Sequence, residues 1–228
     1  MIKSKIFFIP IVITVFFSSC DLFNNEQEKP PGELVPLAVG NYWVYETTYL
    51  DVLKDTIRYE VTQQVEVPIG DTSYAAYAAN FVPFPEGLEP YYWLRRNGAN
   101  GLYLMGGISD TDTLFVNNVE YKLPAEVGET FTSPRVSFSF DRFEFYQSDT
   151  LSITLIDDDR EIVTPAGKFE CLVYKFSIDF FEEGVVFTTW DYYLYYSIGI
   201  GLVAQISTEK NDMDDLKEEL YLIKYVLK

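Results

Sequence analysis

Histidine does not occur anywhere in the 228-residue chain. Its absence excludes Ser-His-Asp and Cys-His nucleophilic machinery, histidine-ligated zinc and the commonest general base. Cysteine is nearly as scarce, with Cys20 and Cys171 alone. Positive charge is thin: 17 Lys and Arg stand against 35 Asp and Glu, a formal −18. Phosphate backbones are bound by concentrated Lys and Arg, so no nucleic-acid partner is expected. Attachment to anionic headgroups through protein charge is disfavoured for the same reason. Long apolar stretches are confined to one. Ile6 to Phe17 is twelve residues, interrupted by Pro10 and Thr14, whereas a membrane-spanning helix needs about twenty.

That run follows Lys3 and Lys5, and a positive start with a short apolar core is the pattern of a secretory signal helix. Phe17-Ser18-Ser19-Cys20 resembles the lipobox of bacterial lipoproteins, with Phe17 where leucine is usual. The resemblance implies that residues 1–19 are removed, that the Cys20 thiol is lipidated, and that acyl chains hold the protein to a membrane of the bacterial cell envelope, on its periplasmic or its outer face. An ordinary signal peptide with a coincidental cysteine is the alternative. Residues 20–33 include "DLFNNEQEKPPG", polar, acidic and proline-containing, a composition suited to a flexible tether. Without Lys3 and Lys5 the basic residues fall to 15 against 35 acidic, a formal −20. With Cys20 modified, Cys171 has no disulfide partner, and with no histidine to activate it a packed, inert thiol is expected.

Residues 34–228 read as one β-domain, large enough to bury a core of its own. Ile57, Tyr59, Val61, Val65 and Val67 fall on one face of a strand, with Arg58, Glu60, Thr62, Gln64 and Glu66 on the other; Gln63 alone breaks the alternation. Leu172, Tyr174, Phe176, Ile178 and Phe180 repeat the period, which is that of a sheet wet on one side. Val136, Phe138 and Phe140 give way to Phe143 and Phe145, a phase slip that predicts a β-bulge or sharp bend at Asp141-Arg142. Turn signals punctuate the chain at Pro68–Asp71, Asn97-Gly98, Asn100-Gly101, Asp157–Asp159, Pro165–Gly167 and Glu182–Gly184. Beyond residue 20 the strongest helical pattern is a turn or two over Asp212–Leu220.

Three blocks recur in order. "PLAVGNYW" from Pro36 is answered by "PAEVGETF" from Pro124, "PIGDTSYAAY" from Pro68 by "PAGKFECLVY" from Pro165, and "YWLRRNGANGL" from Tyr92 by "YYLYYSIGIGL" from Tyr192. The expectation is a duplication, with halves near 34–118 and 122–228. It implies an all-β, antiparallel, strongly curved sheet, closed or nearly closed into a barrel that hides its edges; a two-sheet sandwich is the alternative. The blocks PLxVGNYWVY, VTPAGKFEC and YYSIGIGLV also resemble the signature blocks of a group of secreted or lipid-anchored bacterial β-proteins with no assigned activity. That resemblance implies an envelope β-domain and supplies no catalytic residues.

Candidate chemistry is sparse. Asp157–Asp159 and Asn211–Asp215 lack the glycine and distal glutamate of a calcium loop, so solvated hairpin loops are expected and no metal or cofactor is implied. Among 35 acids no catalytic pair stands out, and no enzymatic activity is expected. The aromatic load, 18 Tyr and 18 Phe with 3 Trp, is the stronger signal. Tyr92 and Trp93 in one half and Trp190, Tyr192 and Tyr193 in the other are the candidate contacts. Facing inward they would pack the core or line a cavity for a lipophilic molecule; facing outward they would meet a glycan or an envelope protein. Phe81–Trp93, with three prolines, reads as a loop that flaps beside such a cavity. The expected role is therefore non-catalytic binding, as a carrier or sensor of a lipophilic ligand, with a scaffold or surface-adhesion module as the alternative. Oligomeric state is left open.

Overall fold

The computed structural model describes residues 32–49, 53–82, 91–139, 142, 144–182, 185–210 and 217–228. The expected signal helix, the lipobox with Cys20, residues 83–90 of the expected flap Phe81–Trp93 and the acidic run Asn211–Asp215 lie outside them; the ends of that flap, Phe81-Val82 and Tyr91–Trp93, are strand and not loop. Residues Pro31–Lys228 form one compact unit.

Twelve strands run through it: β1 (Tyr42–Tyr49), β2 (Leu53–Ile69), β3 (Thr72–Val82), β4 (Tyr91–Gly98), β5 (Gly101–Ser109), β6 (Thr113–Lys122), β7 (Thr130–Ser139), β8 (Glu144–Thr164), β9 (Gly167–Glu182), β10 (Val185–Ser197), β11 (Gly201–Glu209) and β12 (Lys217–Val226). No helix occurs among the described residues. All strands belong to a single antiparallel sheet in the order β6-β5-β4-β3-β2-β1-β12-β11-β10-β9-β8-β7. The molecule is thus two six-stranded meanders zipped together where β1 pairs with β12, and the sandwich alternative is not adopted.

The sheet curls until its two edges approach. No ladder joins β6 to β7 among the described residues, and side chains bridge that seam instead. The Tyr174 hydroxyl donates to the Lys122 carbonyl at 2.5 Å, the Phe145 amide donates to the Asp112 carboxylate at 2.6 Å, and Lys122 pairs with Glu129. Behind them Tyr121, Tyr174 and Tyr196 pack ring on ring at centroid separations of 4.8 to 6.1 Å. The result is a nearly closed barrel.

One end is stoppered by the segment that precedes β1. Leu34, Val35 and Leu37 are buried; the Asn97 side-chain amide donates to the Val35 carbonyl at 2.7 Å, and the Gly199 amide to the Glu33 carbonyl at 2.8 Å. Each such apolar side chain contributes roughly 1.5–3 kcal/mol on burial, which holds the stopper in place. The two hydrogen bonds tie it to the end of β4 and to the β10–β11 turn.

Several expectations need correction. Thr62 is the extra residue of a bulge, because the ladder with β3 shifts between Val61 and Gln63. Val61 stays in the barrel core, whereas Val65 and Val67 pass to a second apolar cluster with Ala76, Ala78, Leu94 and Met105; the five apolar residues of β2 do not share a face. Asp157–Asp159 form no hairpin loop. They lie within β8, where its ladder with β9 slips twice, and Arg160 pairs with Asp157 at 2.8 Å. The sharp bend expected beside Arg142 is met, by contrast: Arg142 lies in a turn between β7 and β8, whose ends pair Ser139 with Glu144, while Asp141 lies outside the described residues. Lys217–Leu220 are strand rather than helix.

Candidate functional site

Alternation sends every second side chain of each strand into the barrel, and the inward set does not fill it. A cavity of about 320 Å³ is left, at the lower end of the range typical of small-molecule sites. The first meander supplies Trp43 and Tyr45 from β1, Tyr59 from β2, and Trp93 from β4. The second supplies Phe176 and Ile178 from β9 and Tyr192, Leu194 and Tyr196 from β10. Val35 of the stopper also lines the cavity, with Leu102 and Leu202. The polar tips of the large rings are tied off at the walls: the Trp43 indole donates to the Ile200 carbonyl at 2.6 Å, and the Tyr45 hydroxyl to the Leu202 carbonyl at 3.1 Å.

Trp93 and Tyr192 meet there for a structural reason. The β4–β5 loop has two residues between Gly98 and Gly101, while the β10–β11 loop has three between Ser197 and Gly201. Counted back from the turn, Trp93 therefore matches Tyr192, and Arg95 matches Leu194. All four line the cavity. The sequence blocks align one residue differently, because they match through the glycines and miss the insertion. Tyr92, on the opposite face of β4, packs against the outer cluster containing Leu94 and Met105. Tyr193 faces away on β10, its ring 5.3 Å from the Lys175 ammonium. Trp190 is half-buried and does not line the cavity.

Arg95, Glu120 and Tyr59 give the site its electrostatics, and sequence reading missed all three. Arg95 sits two residues from Trp93 on the inward face, and Glu120 comes from β6. Their ion pair is bidentate, with Nε and Nη2 donating to the two carboxylate oxygens at 2.6 and 2.7 Å. Arg95 Nη1 donates to the Tyr59 hydroxyl. The side chains keep only 20% and 15% of their exposure, and both face the cavity. Burial works against the guanidinium charge, but Glu120 and Tyr59 overcome it and hold Arg95 protonated well above its ordinary range. Burial also raises Tyr45, Tyr59, Tyr121 and Tyr196, so their hydroxyls stay neutral. The signal available in the sequence was an arginine at the parity of Trp93.

Elsewhere, Cys171 is buried in the core and its thiol is pushed up to about 12, by burial first and Glu170 second; it is inert. Exposed apolar residues gather on the β9–β10 hairpin, where Phe181, Phe187 and Val185 are 63%, 64% and 70% exposed. The run of apolar residues without alternation at 185–187 was their signal.

No protein-family model matches the chain, and no curated protein matches it. Two crystal structures resemble it. One is of a protein from Parabacteroides distasonis ATCC 8503 provisionally classed as a lipoprotein, with a TM-score of 0.46 and 15% identity over 86% of this chain and 99% of that one. The other is of a Bacteroides fragilis NCTC 9343 protein provisionally classed as exported and described as having a YmcC-like fold. Its TM-score is also 0.46, at 15% identity, over 86% of this chain and 100% of that one. At that overlap neither likeness carries an argument about this chain.

Proposed function

We propose that the chain is a bacterial envelope lipoprotein, tethered through a lipidated Cys20, whose barrel carries a lipophilic small molecule without chemical change. The observation that supports this reading is the cavity of about 320 Å³, walled by aromatic and aliphatic side chains from both meanders. Apolar burial drives such binding at about 25 cal/mol per Å². Several acyl chains anchor a protein without a spanning helix, and the acidic body stays in water.

Two measurements test the reading. Protein purified from its own host, extracted and analysed by mass spectrometry, should release a lipophile that is lost from a Leu194→Trp variant filling the cavity. Extracts that are bare for both, with no saturable uptake of added lipophiles, overturn the carrier. Cys20→Ala should move the protein from the membrane to the soluble fraction; a variant that stays membrane-bound overturns the tether.

The exposed Phe181, Val185 and Phe187 favour a second reading, a surface that meets an envelope partner or glycan. It requires that Phe181→Ser with Phe187→Ser abolish that association while leaving lipophile uptake unchanged.

A further inference from the structure

We infer that the cavity takes an uncharged amphiphile, a single apolar chain ending in a hydroxyl or ester oxygen, and rejects the carboxylate of the same chain. The inference rests on the carrier reading and names its ligand class. Among the described residues lining the cavity, Arg95 and Glu120 are the only charged ones, and they are spent on each other. Both oxygens of Glu120 accept from Arg95, and a third guanidinium nitrogen is engaged by Tyr59. The pair is neutral in sum, so no uncompensated cation awaits an anion.

A carboxylate entering this space would lose its water, approach Glu120 as a like charge, and find its natural partner already in a two-bond fork. It could win Arg95 only by leaving Glu120 unpaired in an apolar enclosure. A neutral oxygen faces none of these costs. The guanidinium carries five N–H groups and directs three of its nitrogens as described, so N–H remains to donate to one further acceptor. The Gln205 amide, which bonds Ser207 at 3.3 Å and lines the same cavity, offers another polar contact. The rest of the wall, including Phe176, Leu194 and Leu220, suits a hydrocarbon chain.

The test uses brominated chains that quench tryptophan on contact, since Trp43 and Trp93 line the cavity and Trp190 does not. The full chain carrying Cys20→Ala is titrated at pH 7 with ω-bromododecanol, ω-bromododecanoate and the methyl ester of the latter, without detergent. The alcohol and the ester should quench saturably, and the carboxylate should bind at least about tenfold more weakly, a modest consequence of an unpaired buried charge. Glu120→Gln frees Arg95 and should invert the order. Equal or tighter carboxylate binding by the unmodified pair overturns the neutral-ligand inference and leaves the carrier standing. Quenching by none of the three overturns the carrier itself. Retained exclusion of the carboxylate in a folded Glu120→Gln variant overturns the role given to the pair. Should that variant not fold, the ester–carboxylate comparison still decides, because those two probes differ in charge and one methyl group.

Discussion

Arg95 and Glu120 stand 25 residues apart, and each alone reads as a charge on a solvated strand face. Their meeting depends on how β4 and β6 flank β5 and on how the sheet curls, which no local pattern records. Of the five rings singled out in the sequence, Trp93 and Tyr192 line the cavity and Tyr92, Trp190 and Tyr193 do not, because neighbouring rings on a strand point to opposite faces and composition does not say which parity faces in. The charged pair was not legible, because parity says which residues share a face and is silent on whether that face is wet. Once formed, the pair makes a sharp energetic prediction. Arg95→Met alone strands Glu120 and should cost about 3–5 kcal/mol, whereas Arg95→Met with Glu120→Leu should lie within ~1 kcal/mol of the parent. Urea denaturation of the three proteins checks it; a double variant as unstable as the single would show that the pair, rather than apolar filling, is what the barrel needs. Asp191 is a different case, on the outer side of β10. Burial pushes its carboxyl up, but the Ser177 hydroxyl and the ammonium groups of Lys175 and Lys210, each 2.9 Å away, pull it further down, so that it lies below the ordinary carboxylate value. A depressed pKa stabilises the fold at pH values above the unfolded value of about 3.9, and that stabilisation is lost as pH falls through the folded value. The stability gap between the parent and Asp191→Asn should therefore be full at neutral pH and shrink only in acid. A gap that instead opens as pH falls would contradict the assignment.

Hairpins were legible element by element, since Pro68–Asp71, Asn97–Gly101 and Pro165–Gly167 each became a turn between paired strands. Gly101 shows why such a residue is needed there. Its φ is 123°, and a Cβ would collide with the Tyr121 carbonyl oxygen across the ladder. Bulges were illegible, because a bulge adds one residue and carries no compositional mark. Thr62 and Asp157–Asp159 are two instances among several register shifts in the sheet, and the acidic run looked like a loop only because acids are common in loops. Thr62 supports a direct test. Its deletion would restore unbroken pairing of β2 with β3 and turn Val65 and Val67 into the barrel, exchanging them with Gln64 and Glu66. Burying a glutamate in the outer cluster is worse than losing a bulge, so the deletion should abolish cooperative unfolding as followed by near-UV circular dichroism. A variant with a parental transition would mean that the side chains beyond residue 63 are indifferent to face.

At the scale of the molecule, the recurring blocks occupy matching places. The first leads into the opening residues of β1 and β7, the second spans β2–β3 and β8–β9, and the third spans β4–β5 and β10–β11. Six strands stand on each side of the β1–β12 pairing, which sets the β6–β7 seam opposite that junction. The two joints differ in substance. The β1–β12 junction is a backbone ladder over the full length of β1, while the β6–β7 seam is held by side chains, among them the Tyr174 hydroxyl on the Lys122 carbonyl. Unpaired strand edges open before laddered ones, so amide hydrogen exchange should be fastest in the outward-facing amides of β6 and β7 and slowest in β1 and β12. Tyr174→Phe removes the bridging hydroxyl and leaves a carbonyl without it, at a cost of about 1–3 kcal/mol. Because the loss is local to one joint, it should speed exchange in Gly101–Lys122 and Thr130–Ser139 and leave β1 and β12 at their parental rates under conditions where local opening dominates. Uniform acceleration across all twelve strands would instead show that the seam and the junction open together, and that the barrel behaves as one cooperative ring.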